Sequence, residues 1–93
     1  MTREEILDGL KKVIAPYTTN KEMLASINDE TDLLRDLKIN SANLVDIIID
    51  AEAQYDIEID YDSADKMINV GTCIVVITEK LNTKKWPARA TIL

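Results

Sequence analysis

Asn40-Ser-Ala-Asn-Leu-Val-Asp-Ile-Ile-Ile-Asp-Ala-Glu-Ala-Gln-Tyr55 is the longest apolar-periodic run of this chain, and its reading decides the fold. At about 100° per residue, Leu44, Ile47, Ile48, Ala51 and Tyr55 gather on one side and form an ordinary stripe for burial. The spacing predicts a helix from about Ser41 to Tyr55. Its opposite side is only partly polar. Ala42, Val45, Ile49 and Ala53 fall there, interleaved with or flanked by Asp46, Asp50, Glu52 and Asp56. An acid-bordered apolar strip suits the docking of a basic partner. It also suits packing under a long loop or a neighbouring helix, and the sequence leaves both open.

Working outward, the N-terminal segment reads as a second helix. Thr2 and Glu5 fit a capping box, and Ile6, Leu7, Leu10, Val13, Ile14 and Tyr17 recur at helical spacing. Pro16 disfavours helical geometry at Ala15, so the helix is expected to stop there. Gly9 costs about 1 kcal/mol against alanine in a helix; a close crossing or a tolerated defect accounts for it. Residues 18–40 lack sustained periodicity. A loop of that length needs structure of its own: a turn or two of helix over Lys21 to Ile27, with Leu33, Leu34 and Leu37 pinned to the core.

Beyond Tyr55, Asp56-Ile-Glu-Ile-Asp-Tyr-Asp62 alternates as a strand does, but no matching strand exists to pair with it. It is read as an extended connector that buries Ile57 and Ile59. A short helix follows over Asp62 to Met67. Asn69 or Thr72 then caps a last helix through Cys73, Ile74, Ile77 and Leu81. The expected fold class is all-α, a small four-helix bundle of three longer helices and one short, with a long first loop. Residues 1–83 are expected to form the helical domain, and residues 84–93, with Lys84, Lys85, Pro87 and Arg89, a basic tail with weak reason to be ordered.

Composition bounds the function. Ninety-three residues make one small domain. With no Phe, its core must come mainly from Ile, Leu and Val. No apolar run reaches the ~18 residues of a membrane span. The single cysteine cannot form an internal disulfide and fits a reducing, cytoplasmic setting. Charge is unevenly spread. Residues 29–65 hold twelve acids against Arg35 and Lys38, a net of −10, while residues 66–93 hold five basic residues against Glu79, a net of +4. An acidic middle repels nucleic acid and anionic membranes and attracts basic proteins.

Chemistry within the chain is scarce. Without histidine there is no Ser-His-Asp triad. Asp56, Glu58, Asp60 and Asp62 alternate like calcium ligands, but Tyr61 stands where such a loop needs glycine and Met67 where it needs a carboxylate, so no metal is expected. Cys73 lies among Ile74, Val75, Val76 and Ile77 and reads as a buried, inert thiol. That leaves Ser41, a hydroxyl where a loop becomes a helix. Serine there is a common N-cap. The same position suits a phosphoester, because the positive end of the helix dipole stabilises an anion.

An ordered set of segments carries a resemblance: Thr31-Asp-Leu-Leu-Arg-Asp-Leu37, Asn40-Ser-Ala42 with its acidic helix, Tyr55-Asp-Ile-Glu-Ile59, Ala64-Asp-Lys-Met-Ile68 and Val70-Gly71. Together they span about two thirds of the chain, and the chain resembles the acyl carrier protein family. The resemblance implies a four-helix bundle with a long first loop and 4′-phosphopantetheine esterified to Ser41, its thiol carrying an acyl group as a thioester. It implies a handle for fatty-acid, lipid or polyketide-type synthesis rather than an enzyme. The implied partners are a phosphopantetheinyl transferase and acyl-transferring, ligase or synthase enzymes with basic docking surfaces, meeting a monomer. Val45 and Ile49 match the family's exposed apolar contact positions, and Asp46 and Glu52 its acidic ones. The full docking set expected here is Ala42, Val45, Asp46, Ile49, Asp50, Glu52 and Asp56.

Two departures set this chain apart. Asn40 and Ala42 flank the serine where the family has aspartate and leucine, and Ala53 and Gln54 stand where glutamates are frequent. These changes, with the basic tail, point to a specialised carrier with dedicated partners. An unmodified, carrier-like binding module that scaffolds or regulates a partner through its acidic helix is the alternative. An acyl chain also needs shelter, for which residues 47, 48, 74, 75 and 77 are candidate walls; a dry packed core is the other reading of the same residues. The cargo is not legible.

Overall fold

The first helix, α1 (Arg3–Ile14), begins as its sequence dictates. Thr2 Oγ1 accepts the Glu5 amide at 3.1 Å, and Glu5 Oε1 accepts the Thr2 amide at 2.7 Å. Both satisfy donors that the first helical turn leaves orphaned. That bonding also holds the Glu5 carboxyl below its usual range. Pro16 ends the helix in a 3-10 turn over Ala15–Tyr17. The computed structural model describes residues 2–84, and the side chains of residues 2–82.

The long first loop is held by its own bonds. Asn20 caps a short helix, α2 (Lys21–Ala25), by accepting the Met23 amide. Thr18, buried, donates its hydroxyl to the Leu37 carbonyl, and the Asn20 amide group donates to the Asp36 carbonyl. Asp32 Oδ1 accepts the amides of Leu34 and Arg35, while Asp36 Oδ2 accepts that of Asp32. This last bond, more than the charge of Arg35, holds the Asp36 carboxyl below its usual range. Leu33, Leu37 and Ile39 are buried. Leu34, expected beside them, is 43 % exposed instead. The backbone bond from Asp36 to Asp32 makes one helical turn here, so residues four apart share a face and Leu34 is rotated off it.

The second long helix, α3 (Leu44–Tyr55), is entered through a 3-10 turn at Ser41–Asn43. It ends at Asp56, which takes left-handed geometry at φ 56° and breaks the helical path. Residues 57–60 lie outside regular secondary structure and end extended at Asp60, with Ile57 buried and Ile59 half-buried. The alternating stretch forms no strand among the described residues, since Asp56 is left-handed and Tyr61 and Asp62 are helical. The short helix α4 (Tyr61–Ala64) is capped by Asp60 and continues as turns to Met67. The last helix, α5 (Val70–Lys84), uses both of its candidate caps. Asn69 Oδ1 accepts the Thr72 amide, and Thr72 Oγ1 accepts the Asn69 amide.

Three long helices with α4 therefore make the all-α bundle, and α2 is an additional turn of helix in the first loop. That loop is tied to the start of α5 by backbone bonds from Leu33 to Ile68, Val70 to Thr31 and Gly71 to Asp29. An antiparallel bridge pairs Asp32 with Asn69. The core is aliphatic: Ile6, Leu10 and Ile14 from α1, Ile47 and Ala51 from α3, Val70, Cys73, Ile74 and Ile77 from α5. Each fully buried side chain of this size contributes about 1.5–3 kcal/mol. The basic tail expected over 84–93 lies outside the described residues, save for the Lys84 backbone at the end of α5.

Gly9 marks a close crossing. A Cβ there would stand 2.7 Å from the Tyr55 hydroxyl oxygen and 3.1 Å from two ring carbons. Tyr55 is buried, and its hydroxyl donates to the Ile6 carbonyl at 2.5 Å, so the ring has no free direction of retreat. Gly9→Ala is expected to lower stability by about 1–3 kcal/mol in urea unfolding despite alanine's better helix propensity. In a Tyr55→Phe background the cost shrinks, because the nearest atom is gone; strictly additive effects would contradict the contact.

Asp60 generates a pH prediction. Its Oδ1 accepts from Lys80 Nζ at 2.7 Å and from the Ser63 hydroxyl at 2.7 Å, which holds its carboxyl well below the usual range. A depressed carboxyl adds stability above its unfolded-state value and loses it as pH falls. The stability gap between the native chain and Asp60→Asn should be full at neutral pH and narrow as pH falls below about 4. Thermal unfolding across that range measures it.

Candidate functional site

The mouth of α3 is built from a loop that cannot slide. Ile39 is buried, and its amide donates to the Leu33 carbonyl at 3.2 Å. Lys38 before it takes φ 56° and turns the chain. Asn40 then returns to extended geometry, and its Oδ1 accepts the Ala42 amide at 2.8 Å. Its carbonyl accepts the Asn43 amide at 2.8 Å. Asn40 is thus the capping residue, one position ahead of the serine. Ser41 is exposed, and its hydroxyl makes no hydrogen bond among the described residues. Both residue types cap well, so only the backbone geometry distinguishes the two.

Along α3, exposure follows the helical period. Val45 is 62 % and Ile49 54 % exposed, with Ala42, Asp46 and Ala53 also exposed on the same side. Neither the loop nor a neighbouring helix among the described residues covers this strip. Ile47, Ala51 and Tyr55 face the core, and Leu44 and Ile48 are half-buried. The strip begins one residue after Ser41, so hydroxyl and apolar surface are contiguous.

The acids divide by task. Asp46 is exposed in the first turn of α3. Asp50 lies on the flank nearest α1, where its carboxylate accepts the Tyr17 hydroxyl at 2.6 Å. That bond, then desolvation and the charges of Asp50 and Asp46, push the Tyr17 hydroxyl up to about 12. Together with Lys12, Val13, Pro16, Ala53 and Gln54, Asp50 lines a shallow cleft of about 250 Å³ between α1 and α3. On the other flank Glu52 Oε2 accepts the Ile59 amide at 2.7 Å and holds the connector against α3. Asp56 is exposed at the left-handed cap. The structure thus joins Ser41, Ala42, Val45, Asp46 and Ile49 in one surface and sets Asp50, Glu52 and Asp56 around it. The bonds of Asp50 and Glu52 are long-range, and no sequence signal announced them.

Other candidates fall into place. Of the proposed wall residues, Ile47, Ile74 and Ile77 are buried and Ile48 is half-buried, but Val75 is 54 % exposed and lines nothing internal. Its neighbours at helical spacing are Thr72 and Glu79, which places it on the outer side of α5. Cys73 is fully buried, and burial pushes its thiol up to about 12, so it is no nucleophile. Ser63 and Lys66 stand at a spacing used by some nucleophilic serines, but the Ser63 hydroxyl is bonded to Asp60 in the α4 cap. Among the described residues no cluster of ligating side chains gathers to hold a metal. No described helix is long and apolar enough to cross a membrane.

Comparison with known proteins addresses the kinship. No family model matches the chain. Curated relatives do. The acyl carrier protein of Thermotoga maritima is 30 % identical over 80 residues, covering 86 % of this chain and 96 % of that one. That of Lactobacillus acidophilus is 33 % identical over 78 residues, 83 % of this chain and 94 % of the relative. That of Desulforapulum autotrophicum is 37 % identical over 71 residues, 76 % of this chain and 91 % of the relative. Identity of this extent, over nearly the full length of each relative and on an all-α bundle, means that the chain belongs to the acyl carrier protein family, whose members carry acyl groups and are not enzymes.

Proposed function

We propose that Ser41 carries 4′-phosphopantetheine as a phosphodiester and that α3 presents it to partner enzymes. One observation supports this above others: Asn40 caps the 3-10 turn that leads into α3, leaving the Ser41 hydroxyl exposed and unbonded among the described residues. When bound, the group supplies a thiol that holds an acyl chain as a thioester. The chain's residues contribute position and recognition. Ile39 and Asn40 fix the serine, and the N-terminal end of α3 favours an attached anion by about 0.3–1 kcal/mol. Val45 and Ile49 offer apolar contact, and Asp46 offers charge to a basic surface.

The partners are then a phosphopantetheinyl transferase and acyl-transferring, ligase or synthase enzymes with basic docking faces, meeting a cytoplasmic monomer. Asn40 in place of aspartate keeps the cap but drops a charge, and Ala42 in place of leucine drops an apolar anchor. Both changes favour dedicated partners over general ones. Asp50 and Glu52 act first as struts, since each already accepts an internal hydrogen bond.

Co-expression with a broad-specificity phosphopantetheinyl transferase, read by intact mass, tests the attachment. The mass gain expected for the group should appear in the native chain and be absent in Ser41→Ala. No gain with any transferase would favour an unmodified binding module instead. For the docking face, Ile49→Lys or Asp46→Lys should slow acyl transfer to a cognate enzyme about tenfold or more, about 1.4 kcal/mol, with helical content unchanged. A parallel loss of helicity would mean that these side chains serve the core.

A further inference from the structure

Residues 37–45, which lead from the first loop into α3, contain one charged side chain: Lys38, three positions ahead of Ser41. We propose that the Lys38 ammonium pairs with the phosphodiester carried by Ser41 and holds it at the mouth of α3. Lys38 is then a positioning residue for the attached arm. The inference rests on the attachment proposed above and names the group that neutralises its charge.

The backbone at this mouth leaves an anion short of donors. Asn40 Oδ1 takes the Ala42 amide, the Asn40 carbonyl takes that of Asn43, and the Ser41 carbonyl takes that of Leu44. What the helix end still offers is its dipole, which salt screens and which fades within a turn. A phosphodiester brings a full negative charge into residues 29–65, a stretch that already nets −10. A cation close by offsets that repulsion.

This stretch holds two cations, Arg35 and Lys38. Arg35 is engaged, with its Nε 3.5 Å from Asp36 Oδ1. Lys38 is exposed and makes no hydrogen bond or ion pair among the described residues. The Asp32 amide and then Arg35 hold the Asp36 carboxyl low, and Lys38 contributes least. Its ammonium is therefore available.

The turn itself does not call for lysine. At φ 56°, Lys38 lies in the left-handed region, which glycine adopts freely and lysine only at a cost. A role for the ammonium accounts for the choice. Buried Ile39 anchors the backbone between Lys38 and Ser41, whose Cα atoms stand at most about 11 Å apart. A flexible four-carbon stem on one side and the ester on the other close that span.

The phosphorus nucleus reads the pairing directly. The full chain, native and as Lys38→Met, is modified by the transferase under reducing conditions, with loading confirmed by intact mass. At low salt the phosphorus resonance of the native chain should differ from that of Lys38→Met. In about 1 M salt it should move to the Lys38→Met position, which salt shifts far less. Lys38→Arg should restore the salt response. The gap in melting temperature between modified and unmodified chain should change by about 1–5 °C in Lys38→Met, against the modified form. Helical content is followed throughout; if Lys38→Met loses it, Lys38→Gly, which relieves the left-handed geometry, is read instead. A resonance indifferent to the loss of the ammonium, or an undiminished salt response without it, overturns the proposal. Absence of any mass gain instead removes the attachment and this pairing with it, so the two failures are told apart.

Discussion

The rest of the structure depends on how the Tyr55 ring lies against Gly9. The ring is buried, its hydroxyl donates to the Ile6 carbonyl, and a side chain at position 9 would collide with it. This contact fixes the rotation of α3 about its own axis. Tyr55, Ala51 and Ile47 lie on one side of the helix, so placing Tyr55 inside places all three inside. Ala42, Val45 and Ile49 then face outward. Burial also raises the Tyr55 hydroxyl above its usual range, so the anchor stays protonated and keeps donating at any physiological pH.

Most of the fold was legible because its signals are local. The Thr2–Glu5 box, the stop at Pro16 and the reciprocal Asn69–Thr72 cap each need only a few neighbouring residues to form. The aliphatic stripes were legible for the same reason. What escaped is non-local or depends on backbone angles. Leu34 read as core because a leucine cluster does not reveal which member a turn rotates away. Val75 read as a wall because an unbroken Ile/Val run hides its helical period. Alternation over residues 56–62 hid the left-handed Asp56 and the helix that begins at Tyr61, and only the lack of a partner distinguished the connector from a strand.

At the candidate site, the sequence marked an exposed, acid-bordered strip but not the internal bonds that two of its acids make. Serine and asparagine at adjacent positions are both competent caps, and the choice falls to whichever residue has extended geometry. Here that is Asn40, at ψ 133°. The acids of α3 were read as one docking set. Asp50 and Glu52 also bond residues 33 and 7 positions away, a separation that helical spacing cannot encode.

This division of labour follows from what a carrier requires. A protein that performs no bond chemistry needs a fixed attachment point and a surface that different partners can recognise. Rigidity near the attachment point comes from apolar anchors, since a net hydrogen bond contributes only about 0.5–1.5 kcal/mol. For the attachment proposed at Ser41, Ile39 and Leu37, both buried, supply it within four residues. Recognition must leave some apolar area exposed, a hazard for a protein of this size. Flanking that area with carboxylates keeps it hydrated and discourages self-association while leaving it open to a cationic surface. In the docking role proposed for this strip, Asp46 beside Val45 and Ile49 meets both demands, and the bonds of Asp50 and Glu52 hold the helix that displays them.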